Sequence, residues 1–306
     1  MTRYWPLILI LAATWGASYL FIKVAVDGGL EPATLMAART LIAAVVLLAY
    51  LAATLGTHRA AAELRAAWLP CLVLGALGAA IPFWLVAWGE THIDSGVASI
   101  AQATVPIFTL LLGWRFLPHE RVRVAQLVGV VLGLVGVGVL TGADPTGGRW
   151  AVAGTLAVVL SSLSYASGNV IGKRNVHDIP GPVLATGSML AAGLYLLVPG
   201  LLQLPDETPT PGAIASLLVL ALVGTGFAQL VFYRTLRLYG SHRVSLVTFL
   251  MPGFALVYGA VLLDESITAA ALGGLSLILV GVALGSGSIF ERPARVSVES
   301  ERPVSP

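Results

Sequence analysis

The stretch Ser95–Arg121 reads SGVASIAQATVPIFTLLLGWRFLPHER. It is a membrane-length apolar run with Gln102 early, Pro106 near its middle and a charged exit at Glu120. A second stretch, Ser241–Ile267, SHRVSLVTFLMPGFALVYGAVLLDESI, follows the same plan. Pro106 and Pro252 fall in register, as do Ala98-Ser99 with Val244-Ser245, and Gln102 with Thr248. Glu120 and Glu265 close the two. A chain that repeats such a segment is built from two related halves.

Composition places those halves in a membrane. The 306 residues are 57% hydrophobic and 10% charged, where a soluble domain carries about 25% charged residues. The mean hydropathy of +0.90 is a membrane value, and the polar helix faces of a soluble α/β protein are missing. The net charge of +2 says little about partners. The single cysteine, Cys71, lies in an apolar run. It cannot form an intramolecular disulfide and reads as a small buried hydrophobe. Met1–Val26 puts Arg3 ahead of an apolar core, as signal peptides do. It reads instead as a retained span, because its length suits a full crossing and it has an echo in the second half.

A bilayer core of ~30 Å needs about 20 apolar residues in a helix. Ten such runs appear, roughly at 6–26, 33–55, 69–89, 95–114, 124–142, 151–172, 183–203, 213–233, 244–263 and 269–288. The polar tail 290–306, rich in Ser, Pro, Glu and Arg, reads as disordered. Orientation follows Lys and Arg in short loops. With the N-terminus inside, the inner connections hold Arg3, Arg59, Arg65, Arg115, Arg121, Arg123, Lys173, Arg174, Arg234, Arg237 and Arg243, and the tail adds Arg292, Arg295 and Arg302. Of the 17 cations only Arg149 falls outside, while Lys23 and Arg39 lie within spans. The outer connections are acidic, with Asp27, Glu31, Glu90, Asp94, Asp144, Asp206, Glu207, Asp264 and Glu265. A miscounted span would scramble this separation.

The repeat extends over the whole chain. Trp15 aligns with Tyr165, Tyr19 with Asn169 and Lys23 with Lys173 at one offset, and Gly78 with Gly224 and Pro106 with Pro252 at a slightly shorter one. Gly129 aligns with Gly274 and Gly136 with Gly281 near the end. Five spans per half is an odd number, so the halves enter the membrane from opposite sides. The expected fold is an all-α integral membrane protein of ten transmembrane helices in two inverted five-helix repeats. The first repeat covers 1–142, the second 143–289, and 290–306 forms a cytoplasmic tail. Inverted repeats are common in secondary transporters, where two halves rock about a central site.

Several of these residues carry a family resemblance. Trp15-Gly16-Ala17-Ser18-Tyr19 with Lys23, the run from Pro106 to Glu120, and Phe249-Leu250-Met251-Pro252 ending in Asp264-Glu265 resemble the motifs of the drug/metabolite transporter superfamily, EamA type. The resemblance covers all but the tail. One departure is Met251, where second-half members often carry Glu. The resemblance implies a bacterial inner-membrane carrier of small metabolites, with amino acids a frequent cargo and export a common direction. Aromatic amino acid exporters are among the similar proteins.

Polar and aromatic residues inside spans are the candidate site. Trp15 and Tyr19 sit four apart on one helix face with Ser18 beside them, and Tyr165 and Asn169 match them in the second half. Trp84 with Trp88, and Gln229 with Tyr233, are four-apart pairs, and Gln102 lies in the fourth span. Such amphipathic side chains suit a zwitterion with an apolar tail. Interfacial belts and interhelical hydrogen bonds are the structural alternatives. Lys23 and Arg39 are candidates for gating or charge recognition, since a cation within a span costs about 2.5–3.5 kcal/mol on insertion scales. A structural pair of Arg39 with Asp27 or Glu31 is the other reading. Pro106 and Pro252 are candidate hinges. Glu120 and Glu265 read as helix N-terminal stabilisers of the fifth and tenth spans. Gly129 with Gly133, and Gly281 with Gly285, read as close-packing pairs.

No Asp or Glu falls near the middle of a span, so little dependence on a proton gradient is expected. The five histidines are scattered over connections, and no HExxH or Walker motif occurs. An enzyme is therefore not expected, and neither a cofactor nor a metal is implied. A channel, a non-transporting membrane protein or a membrane-embedded enzyme remain the alternatives. Expected partners are a small-molecule substrate and the lipid bilayer, with a homodimer left open and no nucleic acid.

Overall fold

The computed structural model describes residues 4–116, 124–141, 148–175, 179–240, 244 and 246–285. Among these residues, ten apolar helices form the body of the molecule. Seven have the length and hydropathy to cross a bilayer: Trp5–Asp27, Pro32–Leu55, Trp68–Glu90, Ser95–Phe116, Gly148–Asn175, Gly181–Leu202 and Pro211–Tyr239. Three shorter apolar helices complete the set, Val124–Thr141, Leu246–Leu262 and Ala269–Gly285. They are numbered spans 1 to 10 in chain order below. Large apolar side chains such as Val45, Leu160, Leu202 and Val261 face outward, as contact with hydrocarbon requires.

Packing follows the inverted repeat. Span 5 lies on span 10 and span 2 on span 7, each pairing equivalent helices. Span 1 packs on spans 8 and 9, and its counterpart span 6 packs on spans 3 and 4. Single residues repeat the relation. A Cβ on Gly168 would lie 3.5 Å from Gly78, and one on Gly224 would lie 3.1 Å from the Ser18 hydroxyl. Ser18 and Gly168 are equivalent, as are Gly78 and Gly224, so one contact is made twice. Both glycines sit in π-helical segments, Ala76–Ala80 of span 3 and Leu220–Phe227 of span 8. Such wide turns are frequent at functional sites.

Spans 5 and 10 meet through glycine. A Cβ on Gly281 would collide with the Gly129 carbonyl and lie 2.8 Å from the Gly133 nitrogen. A Cβ on Gly136 would lie 2.9 Å from the Gly274 carbonyl. The expected small-residue packing is thus within the fold, where it brings two backbones together.

The bundle has two ends. At the distal end, opposite the N-terminus, the Thr210 amide donates to the Gly28 carbonyl at 2.9 Å, and the Thr34 hydroxyl donates to the Gly200 carbonyl at 2.8 Å. At the terminal end Leu51, Ala60, Cys71 and Val183 form a buried cluster. Cys71 is buried as expected. A short polar helix, Thr57–Ala66, lies at this end with an Arg59–Glu63 pair at 3.7 Å. Hydropathy alone makes that segment a plain connection.

Two acids depart from expectation. Glu265 stabilises a helix N-terminus, but that of span 4 rather than span 10. Its carboxylate accepts from the Ser95 amide at 2.8 Å, the Ser95 hydroxyl at 2.9 Å and the Gly96 amide at 3.1 Å. Asp264 turns the chain back with a φ of 55°, a left-handed value that Asp tolerates. Glu90, expected in an acidic outer connection, ends span 3 and is 0% exposed. The hydropathy scan stops a span at its last apolar residue, whereas burial depends on what packs over the helix end. Glu120 and the tail 290–306 lie outside the described residues.

The Glu265 interaction crosses between the repeats and closes the distal end. Glu265→Ala removes an acceptor of the kind worth about 1–2 kcal/mol. The expected result is a lower melting temperature of the purified protein and faster labelling of a Ser99→Cys reporter in a Cys71→Ala background. Unchanged labelling would show that this acid does not hold the end shut.

Candidate functional site

Arg39 is the centre of the site. It lies about two turns into span 2 and is 4% exposed. Its Nε donates to the Thr225 hydroxyl at 2.9 Å, and an Nη group lies 3.8 Å from the Met36 sulfur. Its guanidinium carbon sits 4.2 Å from the centre of the Phe83 ring, a cation–π contact. Thr225 is placed by the π-helical segment of span 8, where its hydroxyl also donates to the Leu220 carbonyl at 2.9 Å. Among the described residues the ion pairs are Lys23–Asp27 and Arg59–Glu63, so neither Asp27 nor Glu31 neutralises Arg39. Its direct contacts are one hydroxyl, one sulfur and one aromatic face, and the Glu90 carboxyl lies within its electrostatic reach without forming an ion pair. A buried guanidinium without a carboxylate ion pair is a ready site for an anionic group.

Besides Phe83, two further aromatic side chains lie within reach of this cation. Tyr19 and Tyr165 lie within its electrostatic reach, and the Tyr165 and Phe83 rings are 6.4 Å apart. Trp84 packs on the same core. Ser18 faces Gly224, next to Thr225, and lines an apolar cleft of about 250 Å³ together with Thr14, Phe21 and Tyr258. Spans 1, 2, 3, 6 and 8 therefore converge on one place, with Tyr19, Arg39 and Tyr165 from the expected set.

Gln102 forms a second polar point. Span 4 breaks after it, and the Ala103 and Thr104 amides close tight turns onto the Ile100 and Ala101 carbonyls. The helix restarts at Val105, so Pro106 stands at the break. Pro252 lies inside a continuous span 9. The Gln102 side-chain carbonyl accepts from the Ser161 hydroxyl at 2.7 Å, while its buried amide nitrogen has no partner. An orphaned buried donor is costly, by about 1–3 kcal/mol, and marks a group awaiting an acceptor. Gln102→Leu and Trp84→Ala are expected to lower transport without lowering the amount of folded protein. Normal transport by both would remove them from the site.

Other expected residues lie elsewhere. The Trp88 ring lies tilted against His92 at 4.6 Å, and His92 approaches Trp150 at 5.3 Å, all at the distal end. Trp15 packs on Phe232 at 5.5 Å within a terminal-half cluster. The Tyr233 ring lies directly on the Gly181 backbone. Gln229 is half-buried and Asn169 exposed. Lys23 donates to the Glu90 main-chain carbonyl at 3.0 Å and pairs with Asp27 at 3.2 Å, which ties span 1 to the end of span 3. Phe83, Thr225, Glu90 and Ser161 were not among the sequence candidates. Thr225 follows the repeated Gly224, which is the signal that points to it.

Ten apolar helices in two inverted repeats, with a buried cation where five of them converge, define a polytopic membrane protein. The chain belongs to the EamA-like transporter family, which it matches over residues 3–142 and 152–287. It is therefore a membrane transporter. It is 32% identical to the "Probable terminal-alkyne amino-acid exporter" of Streptantibioticus cattleyicolor, over 97% of this chain and 98% of that one. It is 28% identical to the "Probable amino-acid metabolite efflux pump" of Salmonella typhimurium, over 95% and 97% of the two chains. The "Uncharacterized inner membrane transporter YedA" of Escherichia coli is 29% identical over 92% and 90%. A solved crystal structure shares the fold with a TM-score of 0.64 at 21% identity, covering 94% of this chain and 97% of that one.

Proposed function

We propose that this protein is a secondary transporter that moves amino acids across the bacterial inner membrane by alternating access, in the export direction. The observation that carries the reading is Arg39, a buried cation over the Phe83 ring, with Tyr19 and Tyr165 in electrostatic reach and no carboxylate ion pair. An α-carboxylate would take the guanidinium, and an apolar or aromatic side chain would lie against the rings. The names of the amino-acid exporting relatives support this cargo, and the inner-membrane relative supports this location. The cation distribution supports cytoplasmic termini, which makes the distal end periplasmic.

The two repeats, 1–142 and 143–289, would rock about this centre. The break of span 4 at Pro106, the proline within the continuous span 9 at Pro252 and the π-helical segments of spans 3 and 8 are the local irregularities where such motion would concentrate. Closure of the periplasmic side by Glu265 corresponds to one limb of the cycle. Purified protein in proteoliposomes tests the reading. Uptake of labelled phenylalanine that saturates and is accelerated by unlabelled amino acid inside the vesicle is the expected result. Linear uptake without acceleration would indicate a channel, and no uptake across the amino acids would remove this cargo class.

A further inference from the structure

Glu90 is placed against three physical preferences at once. Its carboxyl is 0% exposed, and both oxygens lack a hydrogen-bond partner. It stands at the C-terminal end of a helix, where the backbone dipole favours cations. The neighbouring cation, Lys23, gives its ammonium to the Glu90 main-chain carbonyl at 3.0 Å and to Asp27 at 3.2 Å, leaving the carboxyl alone. Buried carboxyls in proteins are paired or hydrogen-bonded, and an ionisable group within a membrane bundle marks a functional site by default. A structural acid would have been given a donor.

The surroundings indicate what the carboxyl receives. Lys23, Asp27, Arg39 and Glu265 lie within its electrostatic reach, and Tyr19 stands in reach of both Glu90 and Arg39. Glu90 and Arg39 form no ion pair with each other, since no nitrogen–oxygen distance between them is 4.0 Å or less. Two groups of opposite charge type, with no ion pair between them, thus lie within reach of one aromatic side chain, Tyr19. A ligand carrying both charges on adjacent atoms satisfies both.

Resting on the transport reading above, we propose that Glu90 receives the ammonium group of the cargo and, with Arg39, forms a two-point clamp that selects zwitterions. The carboxylate of the cargo goes to Arg39 and its side chain to the ring faces. Binding draws the end of span 3 toward span 2, and the Lys23 hydrogen bond to the Glu90 carbonyl keeps span 1 attached to it. The clamp rejects an acid without an amino group and an amine without a carboxylate, because either leaves one buried charge unmet.

Three probes on full-length protein in proteoliposomes test this: phenylalanine, its 2-oxo analogue phenylpyruvate, and 2-phenylethylamine. Wild-type protein is expected to exchange phenylalanine well and the other two poorly. Glu90→Gln is expected to raise the KM for phenylalanine at least tenfold and to leave phenylpyruvate exchange unchanged or improved. Glu90→Asp is expected to restore part of the phenylalanine affinity. An unchanged phenylalanine KM in Glu90→Gln overturns the proposal while leaving the transport reading intact. So does an equal loss for all three probes, which is a structural effect. Loss of sensitivity to an imposed pH gradient alone would assign the carboxyl to a proton and overturn it as well. Wild-type protein that exchanges none of the three removes the transport reading for this cargo, and the clamp with it.

Discussion

Arg39→Gln is expected to raise the KM for a transported amino acid between about tenfold and about 150-fold. The change removes charge-assisted hydrogen bonds worth about 1.5–3 kcal/mol, and each 1.4 kcal/mol is about a factor of ten. Arg39→Lys should be almost as poor. Lysine keeps the charge but has no planar fork to hold Thr225 and a carboxylate together. The measurement is the concentration dependence of counterflow, with melting temperature followed in parallel. Burying a guanidinium has a cost of its own, so Arg39→Gln should melt no lower than wild type. A protein that loses stability but keeps its KM would make Arg39 a structural residue.

Gly281→Leu is expected to have the largest effect on folding. Even a Cβ at this position meets the backbone of span 5 at Gly129 and Gly133. Overpacking a core costs about 1–3 kcal/mol where side chains can adjust, and here the obstacle is main chain. Spans 5 and 10 would have to separate along their length, which would also pull Gly136 away from Gly274. Folded protein recovered by size-exclusion chromatography should fall steeply. Gly138→Leu is the matched control, because a Cβ there meets nothing within 4 Å. Equal yields from the two variants would show that glycine packing does not hold the interface.

Much of the architecture could be read without coordinates because a bilayer enforces it. Apolar length and the register of Gly78 with Gly224 and Pro106 with Pro252 are one-dimensional signals, and helices must satisfy their backbones within the bilayer. The site was harder to read. Arg39 stands out as a cation within a span, but its contacts with Thr225 and Phe83 depend on wide helical turns that the sequence marks only through the repeated Gly78 and Gly224. Glu90 was hidden because an acid at the edge of an apolar run looks the same whether solvent or another helix covers it. Asn169 is the reverse case. The repeat puts it opposite Tyr19, yet one is exposed and the other buried, since equivalent positions need not have equivalent neighbours. Glu265 was given the right physical role at the wrong helix, because sequence favours the nearest N-terminus and the fold offered one 170 residues away.

That distance bears on how the protein is made. The Ser95 and Gly96 amides enter the membrane region early in synthesis, but the carboxylate that satisfies them arrives only after nine spans have been inserted. Until then the start of span 4 is a helix end with two open amide donors. The distal seal is therefore among the last interactions assembled, and its formation reports that both halves have been threaded in opposite senses and docked. A chain truncated before Asp264 would insert its spans and still lack this seal.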